Sequence, residues 1–439
     1  MDFGRSDDPR VQAQLDRLSA LSVPQGRLGL ETITALMERL GNPHRKLPPV
    51  FHVAGTNGKG STCAFLRAML EAEGYRVHVT TSPHLVRYNE RIRLAGRLIE
   101  NGPLAELLEE VLDAGEDLGP SFFEVTIAAA FLAFSRTPAD ACVVEVGMGG
   151  RFDATNVLEP EVLAACGIAA LGLDHERFLL APEEGVPTEP MARIAFEKAG
   201  IAKKGVPLVT LGDTYPPEAQ VAVAAQAERA GARLIGLGDR WQFNDYGESR
   251  SGFWYQDADD DDFTSSAPSL QGPHQAANLA LAIAMLRHQE RVEVSLDTLM
   301  QGAPGAHWPA RLQRLGDGPL TWLVRDHVVW LDGGHNPQAG TMLGAHFAGR
   351  RLHLVIGMIE GKDPRALVDP LGPSLASITV VPVPGHDYHR ASAFGPGARQ
   401  AEDLWDAMRG IPDDGLPILI AGSLYLAGEA LRLNDEVPD

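Results

Sequence analysis

Residues 49–81 constrain the fold more than any other part of the chain. They read PVFHVAG, the loop TNGKG, then STCAFLRAMLEAEG and YRVHVTT. An apolar strand, a glycine turn, a helix and a second strand in that order make the repeating unit of a parallel α/β sheet. The loop Gly55, Thr56, Asn57, Gly58, Lys59, Gly60 and Ser61 adds chemistry to that unit. Closely spaced glycines let successive backbone N–H groups face one anion. The helix start contributes unpaired N–H groups and partial positive charge. Lys59 would reach the outer phosphates of a nucleotide, and Ser61 would offer a hydroxyl to Mg²⁺. The spacing departs from the usual phosphate loop, because Val53 stands where the first glycine would fall and Gly60 separates Lys59 from Ser61. A glycine turn without a ligand therefore stays open as the alternative.

More units of the same kind follow. Helices are expected over 103–118, 122–134, 189–200, 219–230 and 274–286, the fourth and fifth rich in alanine, and 11–40 reads as helical material broken near Pro24–Gly29. Gly200 is expected to end its helix as a C-cap. ACVVEVG, from Ala141, is the near-continuous apolar run of a strand buried on both faces. Residues 168–173 and VPLVT read as further strands. Over 237–270, aromatic residues among glycines and acids fit either short antiparallel strands or an irregular insertion. The acidic run DADDDD, 257–262, lacks the alternating ligands and terminal Glu of a calcium loop, so it reads as a solvated loop. QGAPGAHWPAR, from Gln301, is Gly/Pro-rich and suits a domain junction. HVVWLDG, LHLVIG, ITVVPV and LPILIAG then supply strands of a second α/β unit. The expected fold is a P-loop-type N-terminal ATPase domain with a parallel sheet, residues 1–300, a linker at 301–308, and a smaller Rossmann-like α/β domain at 309–439.

With 38 Lys and Arg against 58 Asp and Glu, the net charge is -20. Such a surface repels nucleic acid and anionic membranes unless a basic patch overrides it, and the basic residues form no block. A bound nucleotide must then be held by local donors and a metal. Cys63, Cys142 and Cys166 are far apart and lie in apolar surroundings, so buried free thiols are expected, with neither zinc nor disulfides. No apolar stretch reaches the roughly 18 residues of a membrane span, and the start lacks the pattern of a signal peptide. A cytoplasmic enzyme is expected.

Glu145 closes a buried strand at the edge where open α/β sheets bind ligands. It could ligate Mg²⁺ with Ser61, or cap a turn, or pair with an arginine. His175, in GLDHER, is not the usual ligand of a hard cation, which prefers oxygen. Taken alone, Lys198 in ARIAFEKAGI reads as a surface lysine on a helix.

Together, HVAGTNGKGST, TSPHLVRYNERI, FFEVTIAAAFLAF, VVEVGMGGRFDATN, LDH, AFEKAGI, GPHQAANLALAI, WPARLQ, LDGGHNP and AGSLYLAGE resemble the folylpolyglutamate synthase/dihydrofolate synthase family of the Mur-ligase superfamily, over nearly the whole chain. The resemblance implies that Gly55–Ser61 binds ATP. It implies that Ser61, Glu145 and His175 hold two Mg²⁺ ions and that Lys198 is carbamylated, which makes it an anionic metal ligand. Asn278 is similar to an adenine-contacting residue, and Arg311 to an arginine that approaches the phosphates. Asp332 and His335 are similar to residues on the nucleotide and glutamate side. Ser82, Pro83, Phe123 and Asp153 are similar to residues at the folate or pterin site.

The implied reaction joins L-glutamate to 7,8-dihydropteroate or a reduced folate. ATP would first convert the acceptor carboxylate into an acyl phosphate, which the amine of glutamate then attacks. Lys59 and Mg²⁺ would offset phosphoryl charge, joined by Arg311 on domain closure, and His335 is a candidate base. A monomer carrying both activities is expected. A monofunctional enzyme, a ligase with another carboxylate acceptor and a non-enzymatic nucleotide-binding regulator are the alternatives. Two departures from the family pattern stand out. FLLAPEEGVPTEP, 178–190, lengthens the connection between His175 and Lys198 and is expected to form a surface loop. Gly334 stands where the family commonly has alanine.

Overall fold

The computed structural model describes residues 4–21, 29–174, 176–245, 252–258 and 262–438. The chain divides into two compact units. The first holds 1–83, 88–269 and 275–307, and the second holds 84–87, 270–274 and 308–439.

The first unit is built on eight strands: β1 (Val50–Ala54), β2 (Val77–Thr80), β3 (Ile92–Leu94), β4 (Arg97–Leu98), β5 (Ala141–Glu145), β6 (Leu163–Ile168), β7 (Pro207–Thr210) and β8 (Arg233–Gly236). Their order is β4-β3-β2-β5-β1-β6-β7-β8. Pairing is parallel from β2 to β8, while β3 and β4 add an antiparallel edge. β1, β5 and β6 are buried along their whole length, which explains their unbroken apolar sequence. The strand expected at 168–173 lies earlier, at Leu163–Ile168. The run LAACGI is apolar enough to be buried throughout, whereas the residues after Ile168 turn away to meet the phosphate loop.

The helix Pro190–Ala199 ends with Gly200 as its C-cap, as expected, though without the left-handed turn common there. Gly200 is right-handed, with φ -59°. A side chain there would strike the backbone of Arg151, so close approach requires the glycine.

Residues 237–270 resolve the two readings in favour of strands. β9 (Trp241–Asp245), β10 (Phe253–Asp257) and β11 (Asp262–Ser265) form an antiparallel sheet. Trp241, Tyr255 and Phe263 pack in sequence across it, with ring centroids 5.9 and 5.2 Å apart. The acidic run is not wholly a solvated loop. Asp257 is buried and accepts hydrogen bonds from Arg287 Nε and the Tyr255 hydroxyl, both at 2.6 Å. Residues 259–261 lie outside the described residues. All three cysteines are buried and free.

The second unit carries β12 (Gln313–Arg314), β13 (Val329–Leu331), β14 (Leu352–Ile356), β15 (Leu375–Val380), β16 (Arg399–Gln400) and β17 (Ile418–Ala421), in the order β12-β13-β17-β14-β15-β16. All pairs are parallel except β12 with β13. Alternation along the strands separates two cores. Val355, Ile418 and Ile420 face one with Leu426 and Ala430. Leu354, Ile356 and Leu419 face the other with Leu343 and Phe347. A doubly covered parallel sheet needs both faces apolar. Among the described residues, no helix is long and apolar enough to cross a membrane.

Candidate functional site

The phosphate loop follows β1 and is fastened before it reaches its helix, Lys59–Ala72. The N–H groups of Thr56 and Asn57 both donate to the Ala170 carbonyl, at 2.8 and 3.2 Å. The Thr56 hydroxyl donates to the Gly172 carbonyl at 2.8 Å and accepts from its N–H at 3.0 Å. These bonds commit the first half of the loop to protein. The N–H groups of Lys59, Gly60 and Ser61 lie at the helix start, where no intrahelical acceptor exists. Gly58 has φ +86°, and a β-carbon there would run into the Asn278 carboxamide.

Lys59 Nζ donates to the Gly55 carbonyl at 3.1 Å. Lys198 Nζ, from the helix Pro190–Ala199, donates to the same oxygen at 3.0 Å. One carbonyl thus gathers two ammonium groups within two hydrogen-bond lengths of each other. Lys198 is only 4% exposed, which overturns its reading as a surface lysine. Burial, helped by the charge of Lys59, pushes its pKa down to about 7, against the pull of Asp174, Asp153 and Glu197.

Sequence reading missed the framework that holds this lysine. Glu197, next to it, pairs with Arg151 at 2.8 Å and Arg193 at 2.9 Å. Glu183, from the 178–190 segment, pairs with the same two arginines. Glu189 caps the helix by accepting from the Ala192 N–H at 2.6 Å. Residues 181–190 lie at the surface, as expected, and Glu183 and Glu189 also tie them to the base of the Lys198 helix. Spacing carries no signal of this, because Glu183 lies 32 positions from Arg151 and 10 from Arg193.

Ser61 is buried, and its Oγ accepts from Gln275 Nε2 at 3.3 Å; Gln275 Oε1 in turn accepts from Asn278 Nδ2 at 3.0 Å. Gln275 is a second residue the sequence did not mark. Register places Glu145 opposite Val53, two residues before the loop begins. Glu145 is 5% exposed and accepts from the Ser82 N–H at 3.2 Å. Ser61 and Glu145 offer hydroxyl and carboxylate oxygen, the donors Mg²⁺ prefers. Among the described residues, no three His, Cys, Asp or Glu side chains gather into a metal cage. Few protein ligands, completed by substrate phosphates, is the arrangement Mg²⁺ commonly takes. His175 lies outside the described residues.

Asp153 is 5% exposed and caps the turn Ala154–Val157. It accepts from the Met148 N–H at 2.8 Å, the Thr155 N–H at 3.0 Å and the Thr155 hydroxyl at 2.5 Å. Burial raises its pKa, and those hydrogen bonds oppose the rise. Phe123 lies in the first turn of the helix Phe122–Arg136, whose capping box joins Ser121 and Glu124. Its ring closes over Gly147, where a β-carbon would overlap it. Ser82–Pro83 is a cis peptide beside Glu145.

In the second unit Arg311 lies between two non-glycine residues in left-handed conformation, Ala310 at φ 57° and Leu312 at φ 44°. The Asp332 carboxylate accepts from the Leu312 N–H at 2.9 Å and the Gly334 N–H at 2.7 Å. Its two oxygens thus brace both the Arg311 turn and the LDGGHNP turn. His335 Nδ1 lies 3.0 Å from the Gly333 carbonyl.

No protein-family model matches the chain. The chain is 34% identical over 435 residues to the dihydrofolate synthase/folylpolyglutamate synthase of Bacillus subtilis, covering 91% of this chain and 94% of that one. It is 31% identical over 428 residues to the enzyme of the same name from Escherichia coli, covering 93% and 92%. Its fold matches the E. coli structure in complex with DHPP and ADP with a TM-score of 0.82, at 28% identity over 97% of each chain. A bifunctional folylpolyglutamate synthase/dihydrofolate synthase with Mn, AMPPNP and L-glutamate bound matches equally, at TM-score 0.82 and 28% identity over 96% and 97% of the two chains.

Proposed function

The chain belongs to the dihydrofolate synthase/folylpolyglutamate synthase family, and on that premise we propose how its own residues carry the reaction. The enzyme is an ATP-dependent ligase that adds L-glutamate to folates. It uses ATP and a divalent metal. One observation carries the assignment of residues. Lys59 and Lys198 converge on the Gly55 carbonyl of a glycine loop at the start of a helix. A half-buried Lys59 and a buried Lys198 beside unpaired N–H groups create a demand for an anion, and a nucleotide phosphate answers it.

A carboxylate does not yield an amide directly, because oxide is a poor leaving group. Attack of the acceptor carboxylate on the γ-phosphate of ATP breaks the bond to ADP and gives an acyl phosphate. The amine of glutamate then displaces phosphate. Lys59 offsets the charge that builds on the phosphoryl oxygens, and Gly58, Lys59, Gly60 and Ser61 orient them. Ser61 and Glu145, with His175 and a carbamylated Lys198, would hold two Mg²⁺ ions, which supply further neutralisation of phosphate charge. Asn278 is assigned to the adenine side, and Arg311 and Asp332 to the nucleotide. His335 is assigned to glutamate and to the amine proton. Ser82, Pro83, Phe123 and Asp153 are assigned to the folate acceptor.

The depressed pKa of Lys198 supports carbamylation, since only the neutral amine attacks CO₂. The ammonium first gives up one proton, the neutral amine attacks CO₂ to form a new N–C bond, a second proton leaves, and the former cation is then an anion beside Lys59. A carbonyl signal from ¹³C-bicarbonate that vanishes in Lys198→Met tests this step.

The bifunctional relatives support the use of both acceptors, and we take the enzyme that does so to be a cytoplasmic monomer. Mass spectrometry of the products from ATP, Mg²⁺ and L-glutamate, with either 7,8-dihydropteroate or a reduced monoglutamyl folate, is the test. Glutamate gained by both acceptors is the expected result. Gain by one alone makes the enzyme monofunctional, and gain by neither overturns the assignment of acceptor.

A further inference from the structure

His52 lies in the middle of β1 and is fully buried. Its register partner is Val144, one residue before Glu145. Nothing in the reaction described above uses it. Its Nε2 lies 2.8 Å from the Thr155 hydroxyl, and that hydroxyl lies 2.5 Å from Asp153 Oδ1. Thr155 is fully buried and Asp153 nearly so. His52 Nδ1 has no partner among the described residues.

Proton counting gives this chain a direction. The Thr155 hydroxyl has one hydrogen and sits between two groups that can each accept it. Asp153 already accepts two backbone N–H groups, from Thr155 and Met148. Burial raises the Asp153 pKa, but donors of that kind oppose the rise and favour the ionised carboxylate, which can only accept. The Thr155 hydrogen must then point at Asp153, and His52 must donate to the Thr155 oxygen. The reverse polarity needs a protonated Asp153 and puts the imidazole hydrogen on Nδ1, leaving a buried donor with no acceptor. Burial also pushes the His52 pKa down to about 3, so the ring is neutral at working pH and carries one hydrogen.

We propose that Thr155 and His52 are positioning residues for Asp153, joined in a one-way relay from His52 Nε2–H to the Thr155 oxygen and from the Thr155 O–H to Asp153 Oδ1. The relay ties the loop after β5 to the strand that feeds the phosphate loop, and it holds Asp153 as an anion in one rotamer. Its functional consequence rests on the assignment of Asp153 to the folate acceptor. The relay itself does not.

Two readouts test it. Nitrogen-15 spectra of the unliganded protein, with His52 identified by His52→Gln, report which ring nitrogen carries the hydrogen. A protonated Nε2 and bare Nδ1 are expected, and a protonated Nδ1 overturns the relay. Thr155→Val removes the hydroxyl at nearly constant volume, and Thr155→Ser restores it. The valine variant is expected to raise KM for the folate acceptor about tenfold, the size of one hydrogen bond to a charged group, while KM for ATP stays constant. The serine variant is expected to recover most of that loss. Equal rises for both substrates, or a serine variant no better than valine, would refute the positioning role. If the valine variant does not fold, the wild-type spectrum still decides the polarity. If no folate is glutamylated while Nε2 is protonated, the acceptor assignment fails and the relay stands.

Discussion

Replacing Glu197 by alanine should cost far more stability than replacing Glu183, although the two carboxylates share the same arginines. Glu197 and Arg193 have side chains that are each 5% exposed, and that of Arg151 is 18% exposed. The Glu183 side chain is 38% exposed. Removing Glu197 leaves two nearly buried guanidinium groups facing a carboxylate already half in solvent. Breaking a buried pair in this way typically costs about 3–5 kcal/mol. Removing Glu183 leaves both arginines on Glu197, and an exposed partner is worth about 0.2–1 kcal/mol. Backbone relaxation cannot soften the first loss. The Arg151 N–H donates to the Glu197 carbonyl at 2.8 Å. Side chains at Gly150 or Gly200 would meet backbone across the same contact. Loop and helix are thus pressed together at the point where the arginines would have to swing out. Urea unfolding of the full chain, followed by far-UV circular dichroism, measures both variants against wild type. Because the two units could unfold separately, the transition to read is the one that ATP and Mg²⁺ shift. Losses for Glu197→Ala and Glu183→Ala that agree within about 1 kcal/mol would refute the reasoning, since burial would then not decide the strength of the network.

Lys198→Met should abolish ligation yet stabilise the protein in bicarbonate-free buffer by an amount on the order of a few kcal/mol at pH 7. The folded pKa, about 7, lies below the ordinary 10.5. The folded state therefore bears the full cost of the buried proton below pH 7, and that cost fades as pH rises towards 10.5. The stability gap between variant and wild type should close over that window in parallel denaturation curves, and a gap that widens with pH would contradict the sign. Gly58→Ala must place a non-glycine residue at φ +86° and displace Asn278, and isothermal titration should show ATP affinity at least about tenfold weaker. Gln275→Leu severs the contacts to Ser61 and Asn278. It should raise KM for ATP and leave KM for glutamate unchanged in steady-state assays. Removing divalent metal with EDTA should stop phosphate release, and added Mg²⁺ should restore it.

Legibility in the sequence followed the range of the interactions involved. The alternation and apolar runs of β1, β5, β13, β14 and β17 could be read because burial on both faces is a local property of a strand. The glycine turn between β1 and its helix could be read because its glycines, Lys59 and Ser61 lie close together in sequence. The error at 168–173 arose where two apolar runs abut and only long-range packing decides which of them pairs. Lys198 is the clearest case of a role that local pattern hides. On a helical wheel it belongs to an amphipathic helix with one wet face. It is buried because Gly150 and Gly200 let a distant loop pack flush against that helix. The resemblance to a family marked Lys198 where pattern could not. Gln275 and the Arg151–Glu183–Glu197–Arg193 network were marked by neither, since the contacts that tie them together, Gln275 to Ser61 and Arg151 to both acids, span tens to hundreds of positions.

Burying Lys198 beside Lys59 on one carbonyl oxygen is unfavourable in itself, and the surroundings show how it is sustained. Lys198 Nζ donates to the Gly55 carbonyl. Asp174, Asp153 and Glu197 act on it only through their field. The ion network, the capped helix and the glycine contacts fix the backbone, and the field of those acids offsets the charge only in part. An anion that binds there, whether nucleotide phosphate or carbamate, relieves repulsion that the folded protein otherwise carries. Binding free energy and folding stability must then be linked, with ligand raising stability by RT ln(1 + [L]/Kd). A site of this kind should bind its nucleotide most tightly in the wild type and be most stable, when empty, in the variant that cannot work.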